Sequence, residues 1–410
     1  MNATGIPLLI VEDNPVYAEI LQRLLPTLGA ELRFSSKWVD SAEKALDEIK
    51  GNHYELVLLD YRLPGADGLT VLAHIRGLPK GQQPAVIMLT GMGNEAIAVE
   101  AMKSGAMDYL AKDYLDVPSL MRAITTALER KRLEEQVARY TAELRLKNEQ
   151  MEAELNMAHE LQQALLPHQY PNFPRTSAPK ESILRFCHHY HPTAKVGGDF
   201  FDLLALSDSE AGVFICDVMG HGVRAALVTA IIRALVEELT PQALDPGQFL
   251  THINRELLAI LKQTRMPLFA SAFYLVADAG HGQLRYANAG HPAPLLLRRG
   301  TGSVEPLRNA ACKPGPALAV FDDSIYATGE TRLAANDFVM LFTDGLYEVL
   351  NPRDEEYGQE RLLEAVRRRL QLPSSQLLDE LTTDIHRFAG NREFLDDVCI
   401  VGVEATRVGA

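Results

Sequence analysis

Two sets of carboxylates stand where a chain of this kind would place chemistry. In the first set, Glu12 and Asp13 follow the apolar run 8–11, Asp60 follows 56–59, Thr90 follows 86–89, and Lys112 comes after Tyr109-Leu110-Ala111. In an open parallel sheet the reacting groups gather at the carboxyl ends of the strands, which is where each of these residues would sit. Three acids brought together repel one another unless a hard divalent cation such as Mg²⁺ lies among them, so Glu12, Asp13 and Asp60 form a candidate metal site. With that repulsion reduced, Asp60 becomes a nucleophile toward a phosphoryl group, and Lys112 and the Thr90 hydroxyl complete its pocket. Surface acids at strand ends are common, but that reading leaves the joint placement of Thr90 and Lys112 unexplained.

The second set lies in four later segments: Gly197-Gly198-Asp199, Asp217-Val218-Met219-Gly220-His221-Gly222, Thr343-Asp344-Gly345 and Asp396-Asp397. Each acid abuts an apolar run or a glycine. A single aspartate in such a place is often a cap or a turn residue. Four together, without matching basic partners, are costly unless cations neutralise them, and all-oxygen ligation points to Mn²⁺ or Mg²⁺ rather than zinc. Two such ions can activate a water for in-line attack on phosphorus, so this set predicts a two-metal hydrolase that needs no side-chain nucleophile. Glycines beside the acids let the backbone turn tightly there. His188, His189 and His191 are also clustered, but an extended strand splits them between two faces, which favours a structural role over a transition-metal site. His221 and His291 fall inside the carboxylate segments, and no general-acid role is assigned to them.

The elements that must position these residues follow from patterning. A chain of 410 residues outgrows one hydrophobic core, which implies two or three domains. Up to about residue 127, short apolar runs alternate with helical patterns near 15–28, 41–50, 68–77 and 94–104, the signature of a doubly wound five-stranded parallel α/β sheet. From about 120 to 166 the composition turns to Glu, Lys, Arg, Gln, Leu and Ala with no glycine or proline, which predicts one long helix. Leu133, Val137, Tyr140, Leu144, Met151, Ala158, Leu161 and Leu165 trace a heptad seam on it, interrupted by Lys147 and Glu154. A parallel homodimer through this coiled-coil linker is one candidate arrangement, and a helix packed on its own domains is the other. Beyond the proline-rich stretch 167–179, strand-like runs at 212–216, 273–276 and 338–342 and helical patterns near 223–239, 246–263, 359–370 and 374–389 predict an α+β domain, a β-sandwich flanked by helices. The expected domains are 1–128, 129–166 and 167–410.

Bulk properties narrow the function classes. A formal charge of −14 disfavours nonspecific nucleic-acid or membrane partners, since phosphodiesters and anionic lipids repel an acidic surface. Cys187, Cys216, Cys312 and Cys399 are widely spaced and read as reduced core thiols. No segment has the length of apolar sequence that a membrane span needs, and residues 1–7 lack the basic run of a leader, so a cytoplasmic location is expected.

The first set of residues, with Pro64 and Gly68 after the aspartate and Tyr109 before the lysine, resembles the CheY-like receiver domain of two-component signalling over about 6–128. The resemblance implies that Asp60 takes a phosphoryl group from a histidine kinase or phosphotransfer protein, with Thr90 and Tyr109 as the switch pair. One departure is Asp113, where receivers carry proline. The second set, with Ala289-Gly290-His291-Pro292 and the helix end Ala158-His159-Glu160-Leu161-Gln162-Gln163-Ala164-Leu165-Leu166-Pro167, resembles the SpoIIE/RsbU-like branch of the metal-dependent protein phosphatases over about 155–405. That resemblance implies that Asp217 bridges two ions, that the Val218 carbonyl, Asp199, Asp344 and Asp396 complete the ligands, and that Asp397 is a further candidate. It also implies a phosphorylated anti-sigma-factor antagonist as substrate in a partner-switching pathway. The alternative is a binding module that sequesters a partner, with catalysis incidental. Kinase or transcriptional output has no support, because neither a glycine-rich nucleotide loop nor a basic recognition helix is present.

Overall fold

The computed structural model describes residues 5–29, 32–91, 95–193, 195–263, 268–309, 313–392 and 394–409. In the first part β1 (Ile6–Val11), α1 (Pro15–Leu24), β2 (Phe34–Val39), α2 (Ala42–Gly51), β3 (Leu56–Asp60), α3 (Gly68–Gly77), β4 (Ala85–Thr90), α4 (Glu95–Lys103) and β5 (Asp108–Ala111) alternate along the chain. The strands pair in parallel in the order β2-β1-β3-β4-β5. Alternate residues of the central strands feed opposite faces. Leu8, Ile10, Leu58 and Ile87 pack with Leu21 of α1 and with Leu120 and Ile124 of the following helix. Leu9, Val11, Leu59 and Met88 pack against Ile49 of α2 and Val71 and Ile75 of α3. Helix starts are fixed locally: the side chains of Asn14 and Asp67 accept from the Val16 and Thr70 N–H groups, both at 2.9 Å.

The next helix, α5 (Val117–Leu165), is continuous over 49 residues. The chain divides into two compact units, 1–149 and 150–410, with the division inside this helix. On the second unit's side follow β6 (Leu184–His191), β7 (Asp199–Ala205), β8 (Glu210–Val218), α6 (Val223–Glu238), α7 (Pro246–Leu261), β9 (Ala270–Asp278), β10 (Gln283–Ala289), β11 (Leu295–Arg298), β12 (Ser303–Pro306), β13 (Gly329–Arg332), β14 (Asp337–Phe342), α8 (Gly358–Arg368), α9 (Ser374–Ala389) and β15 (Val398–Ala405). They form two five-stranded sheets, β13-β10-β9-β8-β7 and β12-β11-β14-β15-β6. Val339, Leu341, Val401 and Val403 share a core with the first of these sheets and with α6 and α7. Their neighbours Phe338, Met340, Val398 and Ile400 turn the other way onto α8 and α9. The result is a sandwich with helices on both outer faces, a layering that buries each sheet twice.

Cys216 and Cys399 are buried free thiols, Cys187 is a half-buried one, and Cys312 lies outside the described residues. Among the described residues no helix is long and apolar enough to cross a membrane. The three clustered histidines go to separate partners. His188 Nδ1 lies 2.6 Å from the Tyr170 hydroxyl, His189 Nε2 lies 2.9 Å from Asp379, and the His191 ring meets the rings of His386 and Phe394 edge-on.

Candidate phosphoacceptor and metal sites

In the first unit Asp60 ends β3 and is buried, as are Glu12 after β1 and Thr90 at the end of β4. Lys112, just beyond β5, reaches across the strand ends to Glu12 at 2.7 Å and Asp60 at 2.8 Å. It does so from a 3₁₀ turn over Lys112–Tyr114 that accommodates Asp113. One carboxylate oxygen from each of Glu12, Asp13 and Asp60 lies within 4.8 Å of the others, with Asp13 exposed. Burial raises the Asp60 carboxyl above the usual aspartate range, with the Asp13 charge adding to it against the pull of Lys112. Glu12 is raised first by burial and then by Asp60, again against Lys112. Three oxygens this close, partly desolvated and facing solvent through Asp13, fit one hard cation. The loop after Asp60 folds back so tightly that a Cβ on Gly68 would lie 2.3 Å from the Asp60 carbonyl oxygen. Tyr109 on β5 is 45% exposed, its ring turned toward solvent.

In the second unit the hydrogen-bonding register sets Asp199 of β7 opposite Asp217 of β8, and Asp217 opposite Ser271 of β9. Asp344 follows β14, and Asp396 and Asp397 precede β15. The two sheets come together here: beside the β14–β15 pairing the Thr343 N–H donates to the Cys399 carbonyl at 3.0 Å, and the Thr343 hydroxyl donates to Asp199 Oδ2 of the other sheet at 2.7 Å while accepting from the Cys399 N–H at 3.0 Å. Asp217 is pushed up to about 7 by burial and then by the charges of Asp344, Asp396, Asp397 and Glu348. Asp199 is raised by burial and by Asp217. Asp396 is raised by burial, with Asp397 and Asp344 adding to it and His221 opposing. After burial, the influences on Asp217 are all acids, an excess of negative charge that protein groups leave uncompensated. Among the described residues no three of these acids bring oxygens within 4.8 Å of one another, as the first set does.

Each acid of the second set has distinct surroundings. Both Asp397 oxygens accept backbone bonds, from Thr193 N–H at 2.8 Å and Gly198 N–H at 2.6 Å. Asp202, three residues further along β7, pairs with Arg233 of α6 at 3.2 Å. Gly198 has no room for a side chain, since a Cβ there would lie 2.6 Å from the Val218 carbonyl oxygen. Gly220 and Gly222 hold φ of 85° and 84°, the left-handed values that carry the chain from Val218 into α6. His291 is buried, its Nδ1 2.8 Å from the Ser271 hydroxyl. Patterning did not single out Thr343, Glu348 or Ser271. Thr343 had one signal, its place immediately before Asp344 at a strand end.

Residues 8–130 match the model of the response regulator receiver domain, and residues 207–406 match that of stage II sporulation protein E (SpoIIE). The chain is 24% identical over 217 residues to phosphoserine phosphatase RsbP of Bacillus subtilis, covering 53% of this chain and 51% of that protein. It is 27% identical over 294 residues to the regulator of RpoS of Escherichia coli, covering 68% and 79%. The SiaA-PP2C domain of Pseudomonas aeruginosa superposes with a TM-score of 0.53 at 21% identity, over 63% of this chain and 98% of that one, and shares the fold. The chain spans about half the length of RsbP and of RsbU, 51% and 55%. By fold, then, this is a two-domain chain, a receiver joined to a domain with the PP2C fold. Its N-terminal domain is of the response regulator receiver type and its C-terminal domain of the SpoIIE type, each over the residues matched.

Proposed function

We propose that the chain is a phosphorylation-controlled protein serine/threonine phosphatase, organised as receiver 1–128, helical linker 129–166 and phosphatase domain 167–410. The observation that carries the catalytic reading is Asp217, half-buried, its carboxyl pushed up to about 7 by burial and then by the charges of Asp344, Asp396, Asp397 and Glu348. In this reading Asp217, Asp199, Asp344, Asp396 and the Val218 carbonyl would hold two divalent cations, Mn²⁺ or Mg²⁺, with Asp397 as a further candidate ligand. When bound, the cations supply an activated water and neutralise charge on the phosphoryl oxygens. The protein's part is to orient: Thr343 fixes Asp199, and Asp397 ties down the glycine turn that precedes it.

In the receiver, Glu12, Asp13 and Asp60 hold Mg²⁺, Asp60 takes a phosphoryl group from a histidine kinase or phosphotransfer protein, Lys112 offsets the added charge, and Thr90 and Tyr109 form the switch pair. The α5 helix carries the change to the phosphatase domain, and its exposed seam pairs with a second copy in a parallel homodimer. RsbP and RsbU are named phosphoserine phosphatases, which supports a phosphorylated serine or threonine on a protein as substrate. The family resemblance extends this to an anti-sigma-factor antagonist in a cytoplasmic partner-switching pathway.

The test is hydrolysis of p-nitrophenyl phosphate and of a phosphoserine peptide by the full chain with Mn²⁺, Mg²⁺ or EDTA, beside Asp217→Asn. Turnover that requires the cation and disappears in the variant is expected. Turnover that persists in EDTA, or that Asp217→Asn leaves intact, would remove the reading. Normal signalling by Asp217→Asn in cells would replace it with the sequestering module.

A further inference from the structure

We propose that Ser271 adds its hydroxyl oxygen to the cation shell around Asp217, and that His291 is a positioning residue that keeps the hydroxyl proton turned away from that shell. The assignment rests on the phosphatase reading, which makes Asp217 a cation ligand. Neighbouring strands set these groups in one row. Asp199 of β7 stands opposite Asp217 of β8, and Asp217 stands opposite Ser271 of β9. Residues directly opposite one another in antiparallel strands send their side chains to the same face, with Cβ atoms about 4.5–5.5 Å apart. The row ends at His291, two residues past β10, whose Nδ1 lies 2.8 Å from the Ser271 hydroxyl. A serine beside a carboxylate can donate its one proton there, and it would then occupy an oxygen that a cation needs.

His291 decides where that proton goes. The residue is 5% exposed and its backbone is clamped by one side chain: its N–H donates to Asn288 Oδ1 at 2.8 Å, and its carbonyl accepts from Asn288 Nδ2 at 2.9 Å. Burial pushes the imidazole down to about 3, so the ring is neutral and carries a single N–H. The backbone group that favours a proton on the ring is the Phe342 carbonyl. With Nδ1 against Ser271, that proton belongs on Nε2, which makes no hydrogen bond of regular geometry. Nδ1 is then the acceptor, and the Ser271 hydroxyl donates to it. What Ser271 leaves for the Asp217 side is an oxygen lone pair, which suits a hard cation or a water bound to one. The other end of the row is arranged in the opposite sense, with the Thr343 hydroxyl giving its proton to Asp199 Oδ2 at 2.7 Å. Phe342 and Thr343 are adjacent, so the end of β14 serves both ends of the row. Groups that orient metal ligands commonly change affinity by about 10–100-fold when removed.

The experiment measures Mn²⁺ binding to the full chain by electron paramagnetic resonance of the free ion, in an Asp13→Asn background that silences the receiver's own cation site. Ser271→Ala is expected to raise the Mn²⁺ concentration for half-occupancy about tenfold or more, and Ser271→Thr, which keeps the hydroxyl, to stay within about threefold of the parent. His291→Phe keeps a ring in place but removes the acceptor, which frees the Ser271 proton to turn toward Asp217. It is expected to weaken Mn²⁺ binding by itself and to add nothing in the Ser271→Ala background, because the two residues act as one unit. Unchanged affinity in Ser271→Ala, or a loss in Ser271→Thr equal to that in Ser271→Ala, would overturn the inference. So would a His291→Phe loss that persists in full in the Ser271→Ala background, which marks a purely structural role. If His291→Phe fails to fold, the Ser271 pair decides alone. A parent that binds no Mn²⁺ in this background would remove the phosphatase reading and the inference together, whereas the other adverse outcomes remove the inference alone.

Discussion

At the scale of single residues, the acids around Asp217 set a conflict between stability and function that pH exposes. Asp217 titrates near 7 in the folded chain because burial and neighbouring carboxylates disfavour its charge, against 3.8 for an ordinary aspartate. Its folded form therefore holds a proton that the unfolded form releases, so its contribution to stability is present below about pH 4 and is lost as pH rises toward 7. In EDTA, Asp217→Asn removes this loss. The variant should be more stable than the parent at pH 8, with the advantage shrinking as pH falls toward 4. Urea midpoints across that range check it, and a pH-independent difference would show that the Asp217 environment is misread. Thr343 makes a complementary case. Its hydroxyl serves Asp199 and the Cys399 N–H together, and Thr343→Val keeps the shape while orphaning both. A loss of about 1–3 kcal/mol in unfolding free energy is expected, with weaker Mn²⁺ binding, while Thr343→Ser restores both measurements.

At the scale of elements, the linker helix displays Leu133, Val137, Tyr140, Leu144 and Met151 to solvent at heptad spacing, and Lys147 and Glu154 fall on the same line. A helix this long with so much exposed apolar surface is best satisfied by a second copy. Sedimentation should find a dimer, weakened to monomer by Val137→Glu with Leu144→Glu and tightened by Lys147→Leu with Glu154→Leu. A monomer in all three would leave the seam without a partner of its own kind. The same elements show what the sequence made legible. The helices at 223–238, 246–261 and 374–389 and the strands β8, β9 and β14 stand out because their apolar periodicity is strong. β2 was hidden: Phe-Ser-Ser-Lys-Trp-Val is a polar edge strand, paired among the described residues with β1 alone, so it has no apolar run to announce it. β6, with its three histidines, is held by pairing to β15 rather than by its own pattern. The positions of the acids were legible because each abuts a strand end. Ser271 and Thr343 were not, because what they do depends on partners 20 and 144 residues away.

At the scale of the whole molecule, the two compact units each contain a complete set of candidate groups: Glu12, Asp13, Asp60, Thr90 and Lys112 before residue 149, and the phosphatase acids after it. Each chemistry should therefore survive changes in the helix between them, while communication should depend on helical phase. Inserting one alanine after Glu149 turns everything downstream by about 100°, whereas inserting seven residues returns the phase to within about 20°. Metal-dependent hydrolysis without phosphodonor should persist in both insertions, and so should phosphorylation of Asp60 by acetyl phosphate. The ratio of hydrolysis rates with and without acetyl phosphate should fall to one in the single-residue insertion and in Asp60→Asn, and should stay near the parent value in the seven-residue insertion. A single-residue insertion that responds like the parent would mean that the signal does not pass along a phased helix. Loss of response in both insertions, with Asp60 still phosphorylated, would place the coupling in contacts that the length of the helix sets rather than its rotation.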